Sequence, residues 1–249
     1  MDNTQKFSGK ADVYQQARPN YAQAMLDFIA SKWQIGEGSL VADVGSGTGI
    51  FTRQLLGLGA KVYAVEPNAD MRAMAERLLG GYPNFVSVIG DAEQTTLPDH
   101  RINLVTAAAA FHWFDPNRFK QECKRILLPG GAVVLAWNEM EMSAEINRGR
   151  ERINRKYCPN FRGFSGGNDQ ENLIKRKFFD GNLQEKRCAN PLCYDRQTFI
   201  NRALSSSYSL IESDPGYEAY LAEIGDLFDQ NALEGKIVLP QESVAYFKG

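Results

Sequence analysis

Three short stretches of the chain carry residue types whose spacing suits a nucleoside ligand. The first, LVADVGSGTGIFTRQLLG (Leu40 to Gly57), runs apolar to Asp43, then places Gly45, Gly47 and Gly49 on alternate positions, then turns amphipathic. Glycine takes positive φ without penalty and, lacking a side chain, lets a ligand approach the backbone. A helix beginning behind such a turn attracts a negative group to its N-terminus. The second stretch, VYAVEPN, ends an apolar run with Glu66, about 20 residues past the first glycine, where a carboxylate can accept both hydroxyls of an adenosine ribose. The third, VIGDAEQTTLP, presents Asp91, which can accept from an adenine amino group. Either acid alone serves equally well as a helix cap or turn residue. Both, in this order, point to an adenosyl group.

Other ligands of glycine-rich turns fit less well. A phosphate-binding loop needs GxxxxGK[ST], and no Lys-Ser or Lys-Thr follows these glycines. A nicotinamide or flavin fingerprint needs a third glycine where Ile50 stands, and it leaves Asp91 without a task. Metal chemistry has little to draw on: His100 and His112 are the two histidines, and Cys123, Cys158, Cys188 and Cys193 are scattered without a CxxC pair. No metal site is expected, and the thiols are expected to be buried or idle.

The elements that position these residues follow from apolar spacing. Tyr21, Met25, Phe28 and Ile29 predict an amphipathic helix ahead of the glycine turn. Strands are predicted at Leu40–Val44, Lys61–Val65, Phe85–Ile89, Ile102–Thr106 and Ala132–Trp137, with helices at Thr48–Leu58, Asn68–Leu79 and Pro116–Leu127. Asn68 is a suitable N-cap. Regular alternation of strand and helix indicates an open parallel sheet covered on both faces. After Asn138 the rhythm breaks into a long, charged, partly helical segment to Asp180, with GFSGGNDQ as a loop in its middle. A strand from Leu183, helices near Gln197–Leu210 and Tyr217–Phe228, and the alternating tail GKIVLPQESVAYFKG complete the chain, the tail entering the sheet as a bent or late strand despite Pro240.

The 249 residues have a formal net charge of −2, which gives no general attraction to nucleic acid or anionic lipid. Neither a secretory signal nor a membrane span is legible, so a cytoplasmic protein with no membrane partner is expected. Nucleic acid is not the expected partner, and the oligomeric state is not legible.

In their order and spacing, VADVGSGTG, VYAVEPNADM, GDAEQTTLP, VTAAAAFHWFD and ILLPGGAVVLAW, covering about Phe7 to Trp137, resemble the class I S-adenosylmethionine-dependent methyltransferases. ARPNY (Ala17 to Tyr21) and the final LPQESVAYFKG are similar to the small-molecule branch that includes trans-aconitate methyltransferase. The resemblance implies an α/β, Rossmann-like, doubly wound seven-stranded sheet, mostly parallel with the last strand antiparallel, and a helical cap inserted after the fifth strand. One methyltransferase domain over 1–249 is implied: a helical lid at 1–36, the cofactor core at 37–138, an acceptor-side insertion at 139–180 and completion of the sheet at 181–249.

The same resemblance assigns roles. Gly45, Ser46 and Gly47 would border the methionine part of S-adenosylmethionine, with Asp43 beneath them orienting the turn or reaching the ammonium through water. Glu66 would hold the ribose, and Asp91 with Ala92 the adenine edge. Pro67 and Met71 would cover the adenine faces, although Met71 fits plain helix core as well. Arg18 would pair with the cofactor carboxylate, or simply be solvated, and Tyr14 would close over it. Ala107 to Ala110 would admit the methyl group closely, with Phe111, His112 and Trp113 excluding water. His112 is the catalytic candidate: a base for a hydroxyl acceptor, or a wall residue if the acceptor is an already ionised carboxylate.

The expected acceptor is a small molecule, a carboxylic acid or other anionic metabolite, because Ile146–Phe164 holds six basic residues and one acid. A solvated helix face accounts for such a run too. Trp137 and Tyr157 are candidate pocket walls or core residues. A tRNA or protein methyltransferase, an NAD(P)-dependent oxidoreductase and a non-catalytic binding module are the competing functions.

Overall fold

The computed structural model describes residues 19–164, 169–206 and 208–249. Tyr14 and Arg18, with the rest of residues 1–18, lie outside them, as do residues 165–168 of the GFSGGNDQ stretch. The chain divides into two compact units, one made of the residues up to Asn138 with Gly167–Cys188 and Ser243–Gly249, the other of Glu139–Gly166 with Ala189–Glu242.

The first unit alternates as its apolar periodicity requires: α1 (Gln23–Trp33), β1 (Leu40–Val44), α2 (Ile50–Gly57), β2 (Lys61–Val65), α3 (Ala69–Leu79), β3 (Phe85–Val88), β4 (Ile102–Ala108), α4 (Pro116–Ile126) and β5 (Leu127–Met140). It continues with α5 (Glu145–Tyr157), which belongs to the second unit, then α6 (Asp169–Phe178) and β6 (Leu183–Ala189). Asn68 caps α3, accepting from Met71 N at 3.0 Å. Asp115 caps α4 in the same way, with Pro116 at its first position.

With β9 (Gln241–Lys248) the strands form one seven-stranded sheet in the order β3-β2-β1-β4-β5-β9-β6, mostly parallel with the last strand antiparallel. β1 is parallel to both β2 and β4. The chain therefore works outward from β1 to β3 on one side and from β4 to β5 on the other, and the order reverses between β1 and β4. A crevice opens at the carboxyl ends of the strands at such a reversal.

Two apolar clusters follow the two-residue period of the strands. Val41, Leu104, Val134 and Ala245 join one with α1 and α2, while Ala42, Val105, Leu135 and Val244 join the other with α4. Both faces of the sheet are buried, which explains why its strands read as continuous apolar runs.

β5 starts at Leu127, five residues ahead of the predicted Ala132. Leu127 pairs with Ile102, the register then shifts, and Ala132 pairs with Leu104. Pro129-Gly130-Gly131 is absorbed as a bulge at the strand's start, with Gly130 at φ +82.

The second unit contains α5, β7 (Leu192–Tyr194), α7 (Arg196–Leu204), α8 (Tyr217–Asn231) and β8 (Ile237–Leu239), with β7 and β8 antiparallel. Its core joins Ile146 and Ile153 of α5 to Phe199, Tyr220, Ile224 and Phe228. The apolar face of α5 is covered by α7 and α8, from far along the chain. α6 instead buries Phe178 beside Phe111 and Phe119 of the first unit. Among the described residues no helix is long and apolar enough to cross a membrane.

Candidate functional site

The turn from β1 to α2 lies at the reversal of strand order, and its three glycines do three different things. A Cβ on Gly45 would meet Ala110 Cβ at 2.7 Å, so the first glycine is where the loop after β4 closes on the turn. A Cβ on Gly49 would meet Leu79 Cδ1 at 2.5 Å, so the third is where α3 packs against the start of α2. A Cβ on Gly47 would meet nothing within 4 Å, and its φ is +56. The middle glycine is the one that faces open space.

Glu66 ties this turn to the next. Its Oε2 accepts from Gly47 N at 2.9 Å and its Oε1 from Asn68 N at 2.8 Å. The side chain is 8% exposed, and burial raises its pKa against the lowering effect of those two N–H groups and of Arg72. An ionised carboxylate has about four lone-pair positions, so each oxygen keeps one for a further donor.

Asp43, at the end of β1 and fully buried, accepts from Thr52 Oγ1 at 2.6 Å and from Thr106 Oγ1 at 2.8 Å. It links β1, α2 and β4 below the turn. Burial raises its pKa to about 6, partly countered by the two threonine hydroxyls. Ser46 Oγ is buried and has no partner among the described residues, an expensive arrangement unless a ligand or water completes it.

Asp91 is exposed, and its Oδ1 accepts from Glu93 N at 2.9 Å and Gln94 N at 2.7 Å, the bonds of a turn-forming aspartate. Ala92 beside it and Ala107 in β4 are buried. Pro67 is partly exposed, while Met71 is 3% exposed on the buried side of α3. After β4, Ala109 takes φ +51, and a short 3-10 turn, Phe111–Trp113, follows. His112 is exposed there, its ring 4.7 Å from that of Trp113, while Phe111 is buried. A non-glycine residue at positive φ is uncommon and marks a locally constrained backbone.

Comparison with known proteins adds to this geometry. Residues 42–135 match the family model for the methyltransferase domain. An uncharacterized methyltransferase of Mycobacterium tuberculosis (strain H37Rv) is 34% identical over 137 residues, 55% of this chain and 54% of that protein. An uncharacterized methyltransferase-like protein of Schizosaccharomyces pombe is 33% identical over 132 residues, 52% of this chain and 50% of its own. The chain thus spans about half the length of the curated relatives it matches. Among solved structures, a protein proposed to be a type II methyltransferase from Anaeromyxobacter dehalogenans has a TM-score of 0.61 at 18% identity, covering 93% of this chain and 95% of its own. This likeness is one of fold.

The matched residues, 42–135, contain the glycine turn, Glu66, Asp91 and His112.

The side chains present fit the S-adenosylmethionine that the sequence resemblance implies. The open space at Gly47, the unpartnered Ser46 hydroxyl and the spare lone pairs of Glu66 are together on one turn. The domain also shows positioning residues that the sequence did not disclose. Glu122 of α4, 7% exposed, accepts from Thr95 N at 2.8 Å and is held by Arg125, which pairs with Asp99 as well. Burial alone would raise the Glu122 pKa, but the bonds from Arg125 and Thr95 prevail and lower it. Glu122 thereby fixes the loop that carries Asp91 and Ala92. Thr52, Thr106 and Glu122 had no legible signal, since each works through a partner distant in sequence.

The segment before α1 is anchored to α2 and to the sheet. Tyr21 N donates to Gln54 Oε1 at 2.9 Å, and Arg53 Nη2 donates to Asn20 Oδ1 at 3.0 Å, both from α2. Asn138 and Ser243 hold the same segment, Ser243 Oγ accepting from Ala22 N at 2.8 Å. Of the candidate pocket walls, Trp137 is buried in the first unit beside Tyr246, and Tyr157, in the second, donates to Glu223 Oε1 at 2.8 Å. Cys123, Cys158 and Cys188 are buried, whereas Cys193 is exposed.

Proposed function

We propose that the chain is an S-adenosylmethionine-dependent methyltransferase acting on a small-molecule acceptor, a carboxylic acid or other small anion, in the manner of the branch that includes trans-aconitate methyltransferase. The observation that carries the cofactor half of this reading is the Glu66 carboxylate bound to Gly47 N at 2.9 Å, a backbone hollow and a ribose acceptor joined in one piece. Glu66 holds the ribose hydroxyls. Gly45, Ser46 and Gly47 border the methionine part, and Asp43 orients them through Thr52 and Thr106. Asp91 and Ala92 meet the adenine edge, with Pro67 and Met71 on its faces and Ala107 below the methyl group.

The sulfonium supplies an activated methyl group whose positive charge vanishes on transfer, so the protein's work is to hold donor and acceptor in line and keep water out. Phe111, backed by Phe119 and Phe178, and Trp113 supply apolar surface for that purpose. A carboxylate is ionised at neutral pH and needs no proton removed; His112 then orients it, and becomes a base only for a hydroxyl acceptor. The formal charge of −2 supports a small acceptor over a nucleic acid.

Two measurements test the proposal. Calorimetry with S-adenosylhomocysteine is expected to show binding and NAD⁺ none; the reverse pattern defeats it. Incubation of a metabolite extract with isotopically labelled methyl donor then identifies the product by mass, and a labelled tRNA or protein in place of a small acid would move the acceptor class.

A further inference from the structure

The basic run on α5 separates into two kinds of side chain. Arg148 and Arg152 both pair with Glu145, Arg155 pairs with Glu151 and Lys156 with Glu223, all four cations well exposed. They are the solvated face. Arg150 is 3% exposed, on the buried side of the helix between Ile146 and Ile153. No acid among the described residues pairs with it.

What surrounds Arg150 does not discharge it. The guanidinium carbon is 5.3 Å from the ring centre of Phe164 and 5.9 Å from that of Phe199. Its hydrogen bond is to the thioether of Met140, Nη1 to Sδ at 3.4 Å. Aromatic rings offset part of a cation's charge but accept none of its N–H donors in the strong sense. A thioether is a weak acceptor, and a guanidinium has five N–H donors to satisfy. Burial pushes the Arg150 pKa down, and Arg202 nearby adds to that through like charge, yet arginine remains protonated in proteins. A second donor of the same unit, Gln241 Nε2, is also buried without a partner among the described residues. Buried charges in folded proteins are ordinarily paired.

We propose that the second unit holds a binding site for an organic carboxylate with an apolar or aromatic body, anchored by Arg150; this site does not rest on the methyltransferase reading above. One guanidinium balances one carboxylate and presents the planar fork that matches it. A phosphate monoester, with a charge of about −1.5 to −2, would leave excess negative charge among Phe164, Phe199, Tyr194 and Tyr208. These rings suit the carbon skeleton of an acid.

The test is calorimetry of the intact chain with benzoate, phenylacetate and succinate, using benzamide and inorganic phosphate as controls and S-adenosylhomocysteine as a separate titrant. At least one acid is expected to bind tenfold or more tighter than either control. Arg150→Met is expected to lose that binding at least tenfold, keep its affinity for S-adenosylhomocysteine within twofold, and melt no lower than the parent, because removing an uncompensated buried charge relieves desolvation. In the unsubstituted protein the Arg150 Nε resonance in a ¹⁵N NMR spectrum should move on adding the acid, a readout that does not depend on the variant folding. No preference for acids over controls, undiminished acid binding by Arg150→Met, or a stationary Nε resonance overturns the inference. Absence of S-adenosylhomocysteine binding by the parent overturns the methyltransferase reading and leaves the carboxylate site standing.

Discussion

Gly45 and Ala110 approach so closely that a methyl group on the first would stand 2.7 Å from the Cβ of the second. The contact joins the turn after β1 to the loop after β4, the two strands between which the sheet order reverses. It fixes the separation of the glycine hollow from the His112 loop. A ligand held at one is therefore presented at a set distance from the other.

Gly45→Ala is expected to destabilise the fold by about 2 to 4 kcal/mol, from overpacking and from its left-handed backbone. Ala110→Gly in the same chain should restore the steric part. Gly47→Ala meets no neighbour, so it should lose only about 1 kcal/mol of stability for its positive φ, yet bind S-adenosylhomocysteine at least tenfold more weakly. Denaturant unfolding and calorimetry separate the two cases, and equal behaviour of the two variants would refute the division of labour among the glycines.

Glu66→Gln puts an amide donor where two backbone N–H groups already donate. A hydrogen bond to a charged group contributes roughly 1.5 to 3 kcal/mol, so affinity for S-adenosylhomocysteine should fall on the order of 10- to 100-fold. Calorimetry at constant salt reads this directly. Unchanged affinity would remove Glu66 from the cofactor site.

Asp43 ties stability to pH. Its pKa is about 6 in the folded protein against 3.8 ordinarily, so the native state binds the proton more tightly than the unfolded chain. Its contribution is fully present below pH 4 and is lost as pH rises through 6, amounting to at most about 3 kcal/mol. Asp43→Asn lacks this titration. The variant should gain on the parent from pH 4 to pH 7 in paired urea melts, and a constant difference over that range would show that Asp43 does not titrate there.

His112 is exposed beside Trp113. With a carboxylate acceptor, His112→Ala should lower the rate without changing the form of the pH–rate profile between about pH 5.5 and 7.5, two units centred near the ordinary histidine pKa. Loss of an inflection in that range would instead assign proton removal to His112 and require a hydroxyl acceptor.

The first half of the fold was legible because each element there is specified locally. β1 and β2 coincide with the predicted Leu40–Val44 and Lys61–Val65, and Asn68 caps α3 as its type suggests. The bulge at Pro129-Gly130-Gly131 was not, since it depends on where β5 pairs with β4. The second unit escaped for a related reason: the partners of α5 are α7 and α8, and helical periodicity shows that a face is apolar without showing what covers it. The basic run of Ile146–Phe164 is the sharpest case. Six similar residues read as one property, and the structure divides them into four paired surface cations on α5, Arg162 on backbone carbonyls, and one buried guanidinium.

By itself the sequence determined the alternation of strand and helix, the glycine turn and the two acids at the ends of β2 and β3, because apolar period, turn chemistry and spacing are properties of neighbouring residues. Only the tertiary structure decided that Gly47 is the glycine left open, that Asp43 works through Thr52 and Thr106, and that Arg150 is buried without an acid partner among the described residues. Each of these depends on which distant groups share a space and exclude water from it, and burial is set by the assembled chain.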